Sequence, residues 1–217
     1  MTGKVFITGP GRSGTTFLVQ LLTRLGRDTG FVPYQETYID EWRAGCEIGP
    51  DTDVIETLPE ELKREFNNAP RIIKGPVWSY LLKYLVSNDL LQIDHVVMPL
   101  RDLTDSTLSR LDAGLEFLLD KDFVGMPGNS VEERQENVLV MLTGKVLEVC
   151  YVYQIPLTLM RFPQLVMDEE YCYRKVVTFE NDIDRREFGR VWRELANPAQ
   201  IRIGNQRLDK VEVRHPA

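Results

Sequence analysis

The sequence predicts an α/β fold in which a mostly parallel central sheet lies between two layers of helices. Short apolar runs that indicate buried strands alternate with helical segments along the chain. A glycine-rich loop follows the first strand and leads directly into the first helix. Such connections produce parallel sheets with helices on both faces. Because the 217 residues contain no repeat and no linker-like segment, we expect one domain covering residues 1–217.

Five segments have the composition of strands, each a short run with an apolar centre. In chain order they are Lys4–Thr8, Gly30–Tyr34, Arg71–Lys74, His95–Leu100 and Ile155–Phe162. Pro99 counts against the fourth strand, since proline donates no hydrogen bond to a neighbouring strand.

Five segments between and after these strands have apolar residues at helical spacing. They are Thr15–Leu25, Val77–Ser87, Thr104–Gly114, a long segment from Ser130 to about Tyr153, and Arg185–Leu195. Gly26 is a typical stop for the first helix, and Ser130 with Glu133 matches a capping box. The acidic residues 36–66 are expected to form helix or loop.

Composition excludes several classes of function. The net charge of −7 argues against nucleic acid as a partner, because phosphate backbones require a broad basic surface. No run of roughly 18 apolar residues is present, so we expect no membrane partner. Because the first strand begins at Lys4, we expect no leader segment and a cytoplasmic protein. Cys46, Cys150 and Cys172 have no spacing that suggests a disulfide framework or a zinc site.

The segment Gly9–Thr16 (GPGRSGTT), here called the phosphate loop, has the chemistry of an oxyanion cradle. Gly9 and Gly14 have the G-x-x-x-x-G spacing of a nucleotide-binding P-loop, but Thr15 replaces the usual Lys. Gly11 and Gly14 allow consecutive N–H groups to surround one anion, and the following helix adds a partial positive charge. Ser13, Thr15 and Thr16 add hydroxyl groups, and Arg12 adds a full charge. The sequence therefore predicts a P-loop-like three-layer sandwich that binds a nucleotide phosphate.

GPGRSGTTFL at Gly9–Leu18 resembles the 5′-phosphosulfate loop of sulfotransferases that use PAPS (3′-phosphoadenosine 5′-phosphosulfate). A second motif of that family is a strand ending in Arg-Asp with a Ser eight residues after the Arg, and Arg101-Asp102 with Ser109 is similar to it. The resemblance implies that Gly11–Thr16 bind the 5′ end of PAPS and that Arg101 and Ser109 bind its 3′-phosphate. Leu159–Val176 is similar to the family's strand, turn and helix before the C-terminal region. An isolated Arg101 would otherwise form a surface ion pair with Asp102 or Asp105.

The resemblance also implies transfer of a sulfuryl group to a hydroxyl or amine of a small molecule or carbohydrate, with no metal. By analogy with phosphoryl transfer, Arg12 would hold the transferred group and the leaving phosphate, and Lys74 would contact the bridging oxygen or the transferred group. The base often found in the family is a His shortly after this Lys, but Gly75-Pro76 follows Lys74 here. A carboxylate is expected instead, with Glu36 as the first choice.

Asp40 and Glu41 are the reserves for this base. His95 would lie at the opposite end of a parallel strand, and His215 lies in the C-terminal tail. The family's C-terminal clamp on the 3′-phosphate has only loose counterparts here, at Ile201–Gly204 and at Lys210.

Two alternatives remain open from sequence. A small-molecule kinase would use Mg-ATP with Asp102 near the metal, although the missing Walker lysine argues against it. A nucleotide-binding protein without catalysis would keep the phosphate loop and lack a base.

Overall fold

The computed structural model describes residues 3–34, 59–75, 79, 81–115, 123–198, 201–203 and 206–207. Four parallel strands form its main sheet in the order β2-β1-β3-β4. These strands are β1 (Lys4–Ile7), β2 (Ile72–Lys74), β3 (Ile93–Leu100) and β4 (Leu157–Arg161). The predicted α/β fold with a parallel central sheet is confirmed.

Helices of the described residues cover both faces of this sheet. They are α1 (Thr15–Arg24), α2 (Pro59–Asn68), α3 (Leu82–Ser87), α4 (Leu103–Leu111), α5 (Val131–Val152), α6 (Gln164–Met167), α7 (Glu169–Val176) and α8 (Arg185–Leu195). A short antiparallel pair, β5 (Arg202–Ile203) and β6 (Gln206–Arg207), follows near the C-terminus.

Alternation along the strands divides the core into two layers. Val5 and Ile7 of β1 pack with buried residues of α1, α6, α7 and α8 on one face. Phe6 between them packs on the other face with residues of α2, α3 and α5. All three side chains are at most 1% exposed. The sheet is therefore buried on both sides, which is the three-layer sandwich that the sequence predicts.

Most predicted elements are confirmed with shifts of one to three residues at their ends. The exception is the predicted strand Gly30–Tyr34, which is wrong. That segment forms bends and a turn, with positive φ angles of 76° at Gly30 and 63° at Tyr34. An extended strand requires negative φ throughout, so Phe31 packs against the core from a turn, while Val32 and Tyr34 are exposed. Of the predicted helix Val77–Ser87, the second half is described, as α3.

Pro99 lies inside β3, opposite Met160 of β4. Val97 accepts a hydrogen bond from the Thr8 N–H at 3.0 Å, so odd-numbered residues of β3 direct their polar backbone groups toward β1. The last β1–β3 pair is Ile7 with Val97. At position 99, an N–H group would point toward the chain beyond the end of β1, where the phosphate loop leaves the sheet. Proline disrupts no strand pairing at this position.

Among the helices that the structure describes, none is both long and apolar enough to span a lipid bilayer.

Candidate functional site

The carboxyl ends of the four parallel strands meet at one edge of the sheet. The chain passes from β1 outward to β2, and later from β3 outward to β4 in the opposite direction. β1 and β3 are neighbours, so the strand order reverses between them. A crevice opens at such a reversal, and it is where open α/β sheets bind their ligands. The phosphate loop follows β1 and Arg101 follows β3, so both motifs flank this point.

The phosphate loop offers a continuous set of backbone donors. Within the described part of the chain, no N–H group from Gly11 to Thr16 has an intramolecular acceptor. The loop reaches this arrangement through left-handed backbone conformations, including φ 56° at Arg12 and 91° at Gly14. A non-glycine residue in that region costs about 1–2 kcal/mol. The hydroxyl of Ser13 is fully buried and has no partner among the described residues. Consecutive backbone donors without internal acceptors are the arrangement found in anion-binding nests.

Three contacts fix the base of the loop to neighbouring strand ends. The Thr8 hydroxyl donates to the Gly75 carbonyl at 3.0 Å and lies 2.8 Å from the Ser79 hydroxyl. The Gly9 N–H donates to the same Ser79 oxygen at 3.3 Å. On the other side, the ring of Phe162 leaves no room for a side chain at Gly14. The loop is therefore held by the segments that follow β2 and β4.

Three arginines, here called the arginine cluster, meet at the loop: Arg12 belongs to it, and Arg101 and Arg110 lie beside its backbone carbonyls. The Arg12 Nε donates to the Ser109 hydroxyl at 3.3 Å. Arg101 Nη1 is 3.5 Å from the Arg12 carbonyl, and Arg110 Nη1 donates to the Pro10 carbonyl at 3.4 Å. The two sequence motifs thus meet in one place, since Ser109 of the second motif contacts Arg12 of the first.

The cluster is electrostatically unbalanced. Arg101 and Arg110 are only 9% and 7% exposed. Burial lowers the pKa of both guanidinium groups, with Arg12 as a further cause, and the pKa of Arg110 falls to about 10. Arg101 has Asp105 at 4.0 Å, so the sequence alternative of an Asp105 ion pair is present at the limit of contact. Among the described residues, no carboxylate lies within 4.0 Å of Arg12 or Arg110.

Arg101 also stacks on an aromatic ring. Its guanidinium carbon lies 5.2 Å from the centre of the Phe162 ring, which is the ring that contacts Gly14. Such cation–π contacts favour a cation that has lost part of its hydration. Phe162 therefore joins the end of β4 to both halves of the site.

Lys74, at the end of β2, also reaches the phosphate loop. It is 7% exposed, and its Nζ lies 3.4 Å from the Thr16 hydroxyl. The predicted base Glu36 and its reserves Asp40 and Glu41 lie outside the described residues. Asp102 is occupied as the N-cap of α4, where its side chain accepts from the Asp105 N–H at 3.1 Å. No group of three or more His, Cys, Asp or Glu side chains among the described residues is arranged to hold a metal ion.

The remaining residues predicted from sequence lie away from the crevice or outside the described residues. His95 Nε2 is 2.8 Å from the Thr158 hydroxyl in the middle of the sheet, away from the crevice. His215 and Lys210 lie outside the described residues. Arg202 and Ile203 form β5, whose backbone alone is described.

Sequence reasoning did not assign Arg110, Ser79 or Phe162 to the site. Consecutive residues of an α-helix are rotated by about 100° about its axis. From sequence, Arg110 is therefore expected on a different side of the helix from Ser109. Ser79 and Phe162 carry no motif, because each acts through its position after a strand end. Only knowledge of the strand order could have identified them.

No protein-family model matches the chain, and no curated protein matches it. The fold and the loop geometry define an α/β protein with a P-loop-like sandwich, in which a loop with unpaired N–H groups among the described residues lies where the strand order reverses between β1 and β3.

Proposed function

We propose that the chain is a PAPS-dependent sulfotransferase that acts on a hydroxyl or amine of a small molecule or carbohydrate. The observation that carries the proposal is the convergence of two cationic motifs on one set of unpaired N–H groups. Arg12 and Ser109 are in contact, and Arg101 lies beside the Arg12 carbonyl. A ligand with anionic groups at both ends of a nucleoside suits two adjoining cradles better than a single phosphate does.

The donor's chemistry assigns a role to each cradle. The phosphate loop with Arg12 would bind the 5′-phosphosulfate, and Arg101 with Ser109 would bind the 3′-phosphate. In the reaction, the acceptor oxygen or nitrogen bonds to sulfur while the bond from sulfur to the 5′-phosphate oxygen breaks. The acceptor proton passes to a base, for which Glu36 is proposed. Adenosine 3′,5′-bisphosphate leaves as the second product.

Lys74 is proposed to stabilise charge on the oxygen that leaves sulfur. Its burial and its contact with Thr16 support this role, because a buried ammonium next to the loop is positioned before substrate binds. The Mg-ATP kinase alternative would use Asp102 near its metal ion. The Asp102 side chain already accepts a hydrogen bond as the N-cap of α4, which counts against that alternative. A nucleotide-binding protein without catalysis shares the same cradles and differs only in turnover.

Ligand binding separates these functions. At 100 times its dissociation constant, a ligand stabilises the folded state by about 2.7 kcal/mol. We expect adenosine 3′,5′-bisphosphate to raise the melting temperature without a metal ion. Stabilisation by Mg-ATP alone would contradict the proposal and favour the kinase.

Turnover is tested by mass spectrometry of a panel of hydroxyl and amine acceptors incubated with PAPS. We expect a sulfated product and release of the bisphosphate, both strongly reduced in Lys74→Met and Glu36→Gln. Lys83→Met is the matched control, since Lys83 is exposed and pairs with Glu148 on the outer helices. Binding of the bisphosphate without transfer to any acceptor would identify the non-catalytic alternative.

A further inference from the structure

Arg110 lies near the end of α4 and is buried between the phosphate loop and α5. Its Nη1 donates to the Pro10 carbonyl at 3.4 Å. Gln135 of α5 is fully buried beside it. A guanidinium carries donors only, so the Gln135 amide must turn its oxygen toward it. In that orientation the oxygen accepts from Nη2 at 3.1 Å and also from Nε.

Both partners of this buried cation are neutral. A buried charge normally has an opposite charge beside it, because removing an ion from water is otherwise very unfavourable. Burial, with repulsion from Arg12 as a further cause, lowers the pKa of Arg110 to about 10. The group is still protonated at neutral pH. Gln135 thus fixes the direction of the Arg110 side chain and leaves its charge in place. A glutamate of the same shape would cancel that charge.

We propose that Arg110 and Gln135 form a positioning pair for the oxyanion site. Arg110 holds the Pro10 carbonyl and so the curvature of the phosphate loop, while its charge, which has no carboxylate within 4.0 Å among the described residues, is balanced when a phosphate or sulfate binds. Gln135 keeps Arg110 oriented and keeps that charge available. The inference rests on the proposed function only in requiring an oxyanion in the loop, and it does not depend on sulfuryl transfer.

The decisive variant is Gln135→Glu, which gives Arg110 an internal counter-ion with almost no change of shape. We expect it to bind adenosine 3′,5′-bisphosphate about 10- to 100-fold more weakly, the range set by one charge-assisted contact. Its melting temperature without ligand should equal or exceed that of the native protein. Gln92→Glu is the control with the same charge change, because Gln92 is exposed at the opposite edge of the sheet. Its affinity should stay within about twofold of native, as expected for a distant exposed charge.

A second pair of variants covers the case in which Gln135→Glu does not fold. Arg110→Lys keeps the charge and one donor, whereas Arg110→Met keeps neither. Titration calorimetry with the bisphosphate and with inorganic sulfate should show affinity decreasing in the order native, Lys, Met. A purely structural Arg110 would change the melting temperature of these variants and leave their affinities equal.

The outcomes distinguish this inference from the proposed function. If Gln135→Glu and Arg110→Met bind the bisphosphate as the native protein does, the positioning pair is refuted and the proposed function stands. If the native protein binds sulfate but not the bisphosphate, and Gln135→Glu weakens sulfate, the pair stands and the proposed function fails. If the native protein binds neither anion, both are refuted.

Discussion

Gly14→Ala tests two requirements for glycine at this position of the phosphate loop. One is the positive φ angle, and the other is the close approach of the Phe162 ring. Gly14 has φ 91°, and an added Cβ would lie 2.8 Å from Cδ2 of Phe162 and 3.4 Å from Cδ2 of Leu165. Phe162 is itself confined because Arg101 stacks on its ring. A methyl group therefore has no space unless the ring and the arginine move together.

The magnitude has two parts. A side chain at positive φ costs about 1–2 kcal/mol, and overpacking of a fixed neighbour costs about 1–3 kcal/mol. We therefore expect Gly14→Ala to reduce the free energy of unfolding by about 2–5 kcal/mol. For a chain of this size, each kcal/mol lowers the melting temperature by about 2–4 °C.

Gly26→Ala separates the two parts. Gly26 follows α1 with φ 72°, but no atom lies within 4 Å of the added Cβ. Its cost should be that of backbone conformation alone, about 1–2 kcal/mol. Urea denaturation of the native protein and both variants measures the difference. If Gly14→Ala costs no more than Gly26→Ala, the argument from close approach to Phe162 is wrong.

Three further predictions concern the scaffold. Asp184 caps α8 by accepting from the N–H groups of Arg186 and Glu187, so Asp184→Ala should cost about 1 kcal/mol in urea denaturation. The exposed Asp182→Ala should change stability by less than about 0.5 kcal/mol, and equal losses would show that charge and not capping is responsible. Burial holds the pKa of His95 below its ordinary 6.5, so the unfolded state binds more protons between those two values and stability falls as pH drops through 6.5. His95→Gln should flatten this part of the stability curve, and an unchanged slope would refute the assignment. The Trp192 Nε1 donates to the buried Leu165 carbonyl at 3.0 Å, so Trp192→Phe should cost about 1–3 kcal/mol in calorimetric unfolding, and no loss would contradict the role of this bond.

Local patterns in the sequence were sufficient for most of the fold. Strands such as Lys4–Ile7 are buried on both faces, so they appear as continuous apolar runs bounded by breakers. Ser130 accepts from the Glu133 N–H as the capping box requires, whereas the Glu133 side chain accepts from the N–H of Asn129, one residue before the N-cap. The failure at Gly30–Tyr34 has a local cause as well. Two positive φ angles within an apolar run leave no trace in hydrophobic periodicity.

Only part of the candidate site could be predicted from the sequence, because the rest depends on strand order and helix packing. Gly9–Thr16 and Arg101 with Ser109 are motifs, and strand order then brings them together at the junction of β1 and β3. Arg110 and Gln135 belong to no motif, because a buried cation with a neutral partner is defined by its burial and by having no carboxylate nearby among the residues that the structure describes. Both properties are set by how α4 packs on α5, which depends on the whole chain.

The arginine cluster makes the proposed anion site compatible with a net charge of −7 on the chain. Net charge acts over the whole surface and is screened by salt beyond about 10 Å, whereas Arg101 and Arg110 are buried and screened much less. Their charges lie against a loop whose N–H groups have no acceptor among the described residues. Under the proposed function, an anion that enters the crevice therefore meets donors already in place.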